Sequence, residues 1–368
     1  MAFNCPGLDE RLAGIFVETT SINSPSGSES HIASYIRSFI EGLGFEVQCD
    51  GAASLSGGDS GNLIVPLLGG GNFFLAAHMD TPRPTTGLVH VFRGDRITSD
   101  GTTPLGVDDR GGVSAILYAL ERAVKAGTLK PATLLFTVCE ETSLAGSTFF
   151  TPAEGITHGF VFDSYMRPGN FVRETCGLID FTIHIKGKSS HAGISPEKGV
   201  NALQIAGECI SAFPFGRRGP LATANIGMVS GGTGTNVICD DLKLCGEIRS
   251  ACREEGEAKY AEVLEKFGEI CASRGGFLTE SHAWDFVPYR IEDGDQPYIR
   301  FAAAARSLGL EPSPQPSMGG SDANALNAKG IPTMNIGVGA QNPHGNDEFI
   351  LYEDLQAASD IAYKLLTE

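Results

Sequence analysis

Two apolar segments, each followed at once by charged residues, place the strongest constraint on the fold. Residues 133–138 carry no charge and lead into Glu140 and Glu141, and residues 72–77 lead into His78 and Asp80. Apolar runs of this length without polar alternation are typical of strands buried on both faces in a parallel sheet. Adjacent carboxylates at a strand end are costly unless water or a positive charge receives them. We therefore expect an α/β fold whose strand ends carry either a solvated loop or a metal site.

Composition limits the class of protein. A chain of 368 residues is long for a single core, so we expect two domains. The formal net charge of −17 argues against nucleic acid and anionic membranes as partners. The apolar runs are shorter than a membrane span and no leader pattern is seen, so we expect a cytoplasmic protein. The nine cysteines form no CxxC pair, which predicts reduced thiols.

Further acidic residues stand at predicted strand ends or helix starts. Each one alone has an ordinary explanation, because an aspartate often caps a helix and a histidine at a strand end is often structural. Parallel strands, however, present their carboxyl ends along one edge of a sheet. We therefore expect these groups to meet in one crevice: His78 and Asp80, Asp108 and Asp109, Glu140 and Glu141, and Asp163.

The pattern changes in the middle of the chain. Residues 179–185 alternate apolar and polar side chains, as a half-exposed strand does. The predicted order of elements from there is β-α-β-β-α-β, a ferredoxin-like α+β module. We expect an inserted domain at 177–289, and one catalytic domain formed by residues 1–176 and 290–368.

The candidate ligands favour a metal site. His344 lies in a loop after a predicted strand, where a histidine is usually a plain surface residue, but with His78 it would give a second nitrogen ligand. Mixed nitrogen and oxygen ligation suits zinc, with cobalt or manganese possible. More than four candidate ligands indicate two ions that share a carboxylate, a site able to hydrolyse an amide or ester. One carboxylate would then stay off the metals as a general base.

The ordered motifs HMD, GVDDRGG, CEET, FDS and NPHGNDE resemble those of the M20 zinc metallopeptidases, most closely the peptidase T-like branch. The resemblance covers essentially the whole chain. It implies a mainly parallel sheet flanked by helices, with an inserted ferredoxin-like lid and dimerisation domain. It also implies a dinuclear zinc exopeptidase of the aminopeptidase or tripeptidase type, acting on short peptides, and a homodimer formed through the lid.

The same resemblance implies roles for the residues of the crevice. A metal-bridging water would be the nucleophile, and Asp109 would follow a cis peptide bond. The implied roles are Asp108 as the bridge between two ions, His78 and Asp163 as ligands of one ion, Glu141 and His344 as ligands of the other, Glu140 as the general base, and Asp80 as the partner that hydrogen-bonds His78.

Five further residues match substrate-binding positions of the family. His191 matches a histidine that reaches the neighbouring subunit's site and stabilises an oxyanion. Asn236 and Arg249 match positions that hold the substrate carboxylate, and a guanidinium suits that task by its planar fork of donors. Gly320 and Ser321 match a wall along the substrate backbone. Without the resemblance, His191 would be read as a turn residue and Arg249 as a surface residue.

The sequence leaves the substrate open. Arg83, Thr142 and Ser164 depart from or vary within the branch, and we expect none of them to touch a ligand. The alternative in the same fold is an M20-type amidohydrolase, deacylase or carboxypeptidase acting on N-acyl amino acids or dipeptides. A binding protein without catalysis is disfavoured because every chemical position is occupied. A nucleotide-binding protein is disfavoured because the phosphate-loop motif is missing.

Overall fold

The computed structural model describes residues 5–368, which form two compact units. The first unit consists of the chain up to Arg173, Arg290–Gln315 and Ser321–Glu368. The second consists of Glu174–Tyr289 and Pro316–Gly320. The insertion expected at 177–289 thus begins three residues earlier. The short segment 316–320 also joins the second unit, although the sequence placed it in the first, because its backbone bonds Cys176.

Eleven α-helices and seventeen strands make up the described chain. The helices are α1 (Glu10–Thr20), α2 (Ser30–Gly42), α3 (Ala52–Ser56), α4 (Val107–Ala126), α5 (Glu140–Ser143), α6 (Ala145–Phe149), α7 (Ala202–Ala212), α8 (Arg253–Ser273), α9 (Gln296–Ser307), α10 (Asp322–Ala328) and α11 (Tyr352–Thr367). The strands are β1 (Gln48–Cys49), β2 (Leu63–Leu67), β3 (Phe73–His78), β4 (His90–Arg93), β5 (Arg96–Ser99), β6 (Ala132–Thr137), β7 (His158–Ser164), β8 (Asn170–Thr175), β9 (Gly177–Lys186), β10 (Gly216–Gly219), β11 (Ala222–Gly231), β12 (Asp241–Ser250), β13 (Phe277–Phe286), β14 (Tyr289–Arg290), β15 (Ser313–Ser317), β16 (Thr333–Gly337) and β17 (Phe349–Leu351).

A mixed sheet forms the centre of the first unit. Its order is β1-β2-β6-β3-β7-β16-β8-β14, with β15 paired to β8. The middle strands β6, β3, β7 and β16 are mutually parallel, while β2 and β8 flank them in the antiparallel sense. Every residue of β3 and of β6 is buried, because helices cover the sheet. This arrangement confirms the predicted α/β class, and it directs the ends of the parallel strands to one edge.

The second unit is an antiparallel sheet with two helices on one face. The sheet order is β10-β11-β12-β9-β13. Apart from the short β10, the chain order is β-α-β-β-α-β, which confirms the ferredoxin-like prediction. Inward side chains of β9 and β12 pack with Ile205 of α7 and with Val263 and Phe267 of α8.

The cysteines and the helix lengths are two further features of the described chain. All nine cysteines are free thiols, as expected. Among the described residues, no helix has the length and apolarity needed to cross a membrane.

Candidate metal centre

The four parallel strands deliver functional side chains to one edge of the sheet. His78 is the last residue of β3, and Asp163 is next to last in β7. Glu140 opens α5 just after β6, and the loop after β16 carries His344. Asp108 stands at the start of α4, after Gly106, whose φ of 77° is left-handed. This is the crevice that the strand-end pattern predicts.

Asp108 lies between two pairs of candidate ligands. Its Oδ1 is 3.0 Å from Nε2 of His78, which is itself 3.6 Å from Oδ1 of Asp163. Its Oδ2 is 3.3 Å from Nε2 of His344, which is 3.4 Å from Oε2 of Glu141. One carboxylate oxygen therefore faces each pair, as a bridging ligand of two ions would.

Asp109 is close to the same groups but is held by backbone amides. Its Oδ2 accepts from the backbone N–H of His78 at 3.1 Å, and its Oδ1 from that of Gly112 at 3.0 Å. The peptide bond between Asp108 and Asp109 is cis, as the family resemblance implies. Asp109 therefore fixes the end of β3 against the start of α4.

Asp80 organises the glutamate pair. Its Oδ1 accepts from the N–H of Glu140 at 3.0 Å and its Oδ2 from that of Glu141 at 3.1 Å. Ser26 donates a further bond of 2.6 Å to Oδ2. Nδ1 of His78 is 3.1 Å from the carbonyl oxygen of Asp80 and 3.3 Å from Oδ1. The sequence predicted the contact with His78 and missed the bonds to the two glutamate amides.

The electrostatics of the site are those of crowded carboxylates. Burial raises the pKa of Glu140 and of Asp163. Burial and the charge of Asp108 raise the pKa of Glu141 to about 8. Burial acts against the charged form of His78, but hydrogen bonds to Asp108, Asp163 and Asp80 outweigh it and raise its pKa. The centre holds more negative charge than its two histidines neutralise.

Known proteins resemble this chain in sequence and in fold. The model of Peptidase family M20/M25/M40 matches residues 74–368. Peptidase T of Geobacillus kaustophilus is 26% identical over 98% of this chain and 89% of its own length. The solved structure of aminopeptidase PepT from Bacillus cereus has a TM-score of 0.90 and 33% identity, with 98% and 99% of the two chains covered. A tripeptidase structure from Staphylococcus aureus has a TM-score of 0.90 and 28% identity over 98% of each chain.

The chain belongs to the M20 peptidase family. Within that family it is peptidase T-like, and it is a hydrolase of peptide bonds. The resemblance drawn from the five sequence motifs is therefore confirmed at the level of family, fold and enzyme class.

The centre of this M20 peptidase fits metal ions. Oε1 of Glu141 is buried and has no hydrogen-bond partner among the residues that the structure describes. His78, Asp108 and Glu141 offer ligand atoms within 4.8 Å of one another. Cations would satisfy the orphaned oxygen and neutralise the crowded carboxylates, and imidazole with carboxylate is a donor set that zinc accepts.

Two buried charged residues support the centre and carried no role in the sequence analysis. Glu348 accepts from the N–H of Gly106 at 2.6 Å and of Asp108 at 3.1 Å. Arg110 is fully buried and donates to the carbonyl oxygen of Met79 and to the hydroxyl of Ser24. Both stand inside quoted motifs, but their partners are distant in sequence, so their roles become visible only in the fold.

The predicted substrate residues of the second unit have local partners. His191 is exposed, and its Nδ1 accepts from the N–H of Gly193 at 3.1 Å. Asn236 is also exposed. The guanidinium of Arg249 donates to both carboxylate oxygens of Glu247, at 2.9 and 3.1 Å, and to the carbonyl oxygen of Met318 at 2.5 Å. The sequence did not foresee that Glu247 occupies the fork of Arg249.

Gly320 and Ser321 fall on opposite sides of a unit boundary. Gly320 packs against the ring of Phe286 in the second unit. Ser321 belongs to the first unit, where its side chain and that of Asn324 form a capping box at the start of α10. The hydroxyl of Ser321 is thereby engaged with its own helix.

Proposed function

We propose that this M20 peptidase is a dinuclear zinc exopeptidase of the aminopeptidase or tripeptidase type. The observation that carries the proposal is the position of Asp108, with one oxygen toward His78 and Asp163 and the other toward Glu141 and His344. Cobalt or manganese could replace zinc in such a donor set.

Each ion would have its own ligands. His78 and Asp163 would hold one, Glu141 and His344 the other, and Asp108 would join both. When bound, the two ions would polarise the substrate carbonyl and lower the pKa of a water molecule. Asp80 would keep the imidazole of His78 oriented and the backbone of the glutamate pair in place.

Glu140 would move the proton. Its carboxylate would take a proton from the attacking water and pass it to the nitrogen of the leaving amine. Its neighbour Glu141 would remain a metal ligand, so one of the two adjacent carboxylates would transfer protons and the other would bind an ion.

Five residues would bind the substrate. His191 would stabilise the oxyanion in the neighbouring subunit's site, and Gly320 and Ser321 would line the peptide backbone. Asn236 and Arg249 would hold the substrate carboxylate. For Arg249 this requires that the substrate replace Glu247 in the guanidinium fork, and both partners of that exchange are carboxylates.

A peptide panel tests the reaction. Di-, tri- and tetrapeptides with a free α-amine are compared with their N-acetylated forms, using protein loaded with zinc. The proposal expects release of the N-terminal residue from the free peptides, with tripeptides preferred. Turnover of the N-acylated forms alone would instead identify a deacylase, and release from the C-terminus a carboxypeptidase.

Glu140→Gln tests the general base. This variant should lose turnover by about 10²–10⁴-fold while it still binds two zinc ions per chain, measured by elemental analysis. Glu154→Gln, an exposed residue of a loop, is the matched control and should behave as the parent does. Full activity in Glu140→Gln would refute the assignment.

A homodimer through the second unit belongs to the same proposal. Strand β10 pairs with β11 only as far as Ala224, no other described strand pairs with the rest of that edge, and Met228 and Val229 are 70% and 53% exposed. Exposed apolar edges favour pairing with another chain. Light scattering should give twice the chain mass, and Val229→Lys should give a monomer. We propose a cytoplasmic location, which fractionation of the source cells would test.

A further inference from the structure

A buried glutamate that is not among the proposed metal ligands contacts the turn that leads into Glu140 and Glu141. Glu29 is fully buried in the first unit. Its Oε1 accepts from the N–H of Gly27 at 2.9 Å and from the N–H of Cys139 at 3.0 Å. The thiol of Cys139 also lies 3.4 Å from this oxygen. Glu29 Oε2 is buried and has no partner among the described residues.

Three successive backbone N–H groups of the turn donate hydrogen bonds to buried carboxylates. The N–H of Cys139 bonds Glu29, and the N–H groups of Glu140 and Glu141 bond Asp80. Cys139 adopts a left-handed backbone with φ 53°, which is uncommon for a residue with a side chain. Ser26 links Asp80 to the segment that holds Glu29. Residues 26–29 thus contact the turn in two ways. Glu29 bonds it directly, and Ser26 bonds Asp80, which in turn bonds Glu140 and Glu141.

Helix capping does not explain Glu29. It is the N-cap residue of α2, yet its side chain makes no capping bond there. Exposed Asp59 serves α2 instead, because its two oxygens accept from the N–H and the hydroxyl of Ser30 at 2.9 and 2.7 Å. A carboxylate buried away from its own helix needs a compensating bond. For Glu29 the compensating bonds come from the N–H groups of Gly27 and Cys139, and the second of them reaches the turn.

We infer that Glu29 is a positioning residue for the glutamate pair. Its oxygen fixes the amide of Cys139, and Cys139 sets the direction in which the chain enters Glu140 and Glu141. The inference deepens the proposed function, since it rests on Glu140 as the base and Glu141 as a ligand. What it requires of Glu29 is an acceptor oxygen at the right reach, not a negative charge.

Two conservative variants of Glu29 distinguish the effect of side-chain length from the effect of negative charge. Glu29→Gln keeps the length and one acceptor oxygen, so kcat should stay within about threefold of the parent even though a buried amide N–H₂ lowers the unfolding midpoint. Glu29→Asp keeps the charge but is one methylene shorter, so kcat should fall at least tenfold with KM nearly unchanged. Asp59→Asn is the control for helix α2 and should leave kcat unchanged.

Hydrogen exchange gives a readout that does not need turnover. In Glu29→Asp, exchange should accelerate in the peptide that contains residues 138–141 and remain as in the parent in peptides from the second unit. A uniform acceleration over the whole chain, or a Glu29→Gln variant damaged as much as Glu29→Asp, would overturn the inference. A parent enzyme that fails to cleave any peptide would refute the proposed function, while the exchange data would still decide the role of Glu29.

Discussion

At the scale of single residues, Arg83 connects a metal-site loop to the rest of the first unit. Its Nη1 donates to the carbonyl oxygen of His344 at 3.0 Å and its Nη2 to Oδ1 of Asn346 at 2.6 Å. His344 has a left-handed backbone with φ 66°. The expectation that Arg83 touches no ligand is wrong, because its guanidinium donates to the carbonyl oxygen of a candidate ligand, His344.

Arg83→Ala should weaken the binding of one of two zinc ions. A charge-assisted bond contributes about 1.5–3 kcal/mol, so the loop that carries His344 should lose roughly tenfold or more in affinity for its ion. Competition with a chromophoric chelator measures the two affinities separately. Arg93→Ala, which removes an exposed arginine of the β4–β5 hairpin, is the control. Equal affinities in the Arg83 variant and the parent would refute the anchoring role.

His158 should make stability depend on pH. Its ring is buried beside Phe73 and Phe160, and its Nε2 has no partner among the described residues. Burial, with the nearby charge of Arg300, lowers the pKa of His158 to about 4. The folded protein therefore keeps the neutral imidazole, and the unfolded chain takes up a proton near pH 6.5. This contribution is complete above that pH and is lost as the pH falls toward 4.

The measurement is denaturant unfolding between pH 7 and pH 4. His158→Phe replaces the ring by an apolar one, so its free energy of unfolding should fall less steeply over this interval than that of the parent. The exposed His31→Phe variant should keep the parent's slope. Parallel curves for His158→Phe and the parent would contradict the assignment.

Candidate functional residues at strand ends could be predicted from the sequence, whereas hydrogen bonds between residues distant in sequence could not. His78, Glu140 and Asp163 stand out because such side chains come at the ends of apolar runs. Glu29 looks like any acidic residue at a helix start, and its contact with Cys139 joins positions 110 apart. A periodicity argument cannot find such a pair, because the pair exists only after β6 and α2 have packed.

At the scale of secondary structure, the buried parallel strands were predicted closely and the edges poorly. Strands β3 and β6 lie within one residue of their predicted starts. Strand β15, with two prolines in five residues, gave no strand signal and pairs only at the margin of the sheet. Strand β1 extends over only two residues, Gln48–Cys49, and α3 was missed because its five residues are too few for a helical period.

Helix α4 depends on a close approach to β7. A Cβ added at Gly112 would lie 2.0 Å from the carbonyl oxygen of Phe162 and 2.5 Å from Oδ1 of Asp109. Gly112→Ala should therefore shift α4 and with it Asp108, lower the free energy of unfolding by about 1–3 kcal/mol or more and reduce zinc binding. The measurements are denaturant unfolding and metal analysis of the purified variant.

Gly207→Ala is the control for the same chemical change. Gly207 lies in α7, and an added Cβ would meet no heavy atom within 4 Å. Alanine there should raise stability by about 0.5–1 kcal/mol, because glycine loses more freedom on folding. If the two alanine variants had the same stability, the close approach of α4 to β7 would not require a glycine at position 112.

At the scale of the whole molecule, the sequence pattern and the compact units of the structure both divide the chain in two. The change from unbroken apolar runs to alternating strands locates the second unit to within three residues at its start, Glu174. The segment Pro316–Gly320 groups with the second unit, whereas the sequence analysis placed it in the first. Its membership depends on bonds to Cys176 and Arg249, and no local pattern in a glycine-rich stretch reports such bonds.

Metal binding should stabilise the first unit as a whole. Its parallel strands end in carboxylates whose pKa values are raised by burial, so the metal-free fold carries unfavourable charge that the unfolded chain does not. Zinc at 1,000 times its dissociation constant would add about 4 kcal/mol, which corresponds to on the order of 10 °C in the unfolding midpoint. Calorimetry before and after chelation, and again after zinc is restored, measures this difference. Asp108→Asn should lose most of the response because both ions share that residue, while Glu154→Gln should keep it. A midpoint that rises on chelation would mean that the carboxylates do not need cations, and the dinuclear centre would have to be abandoned.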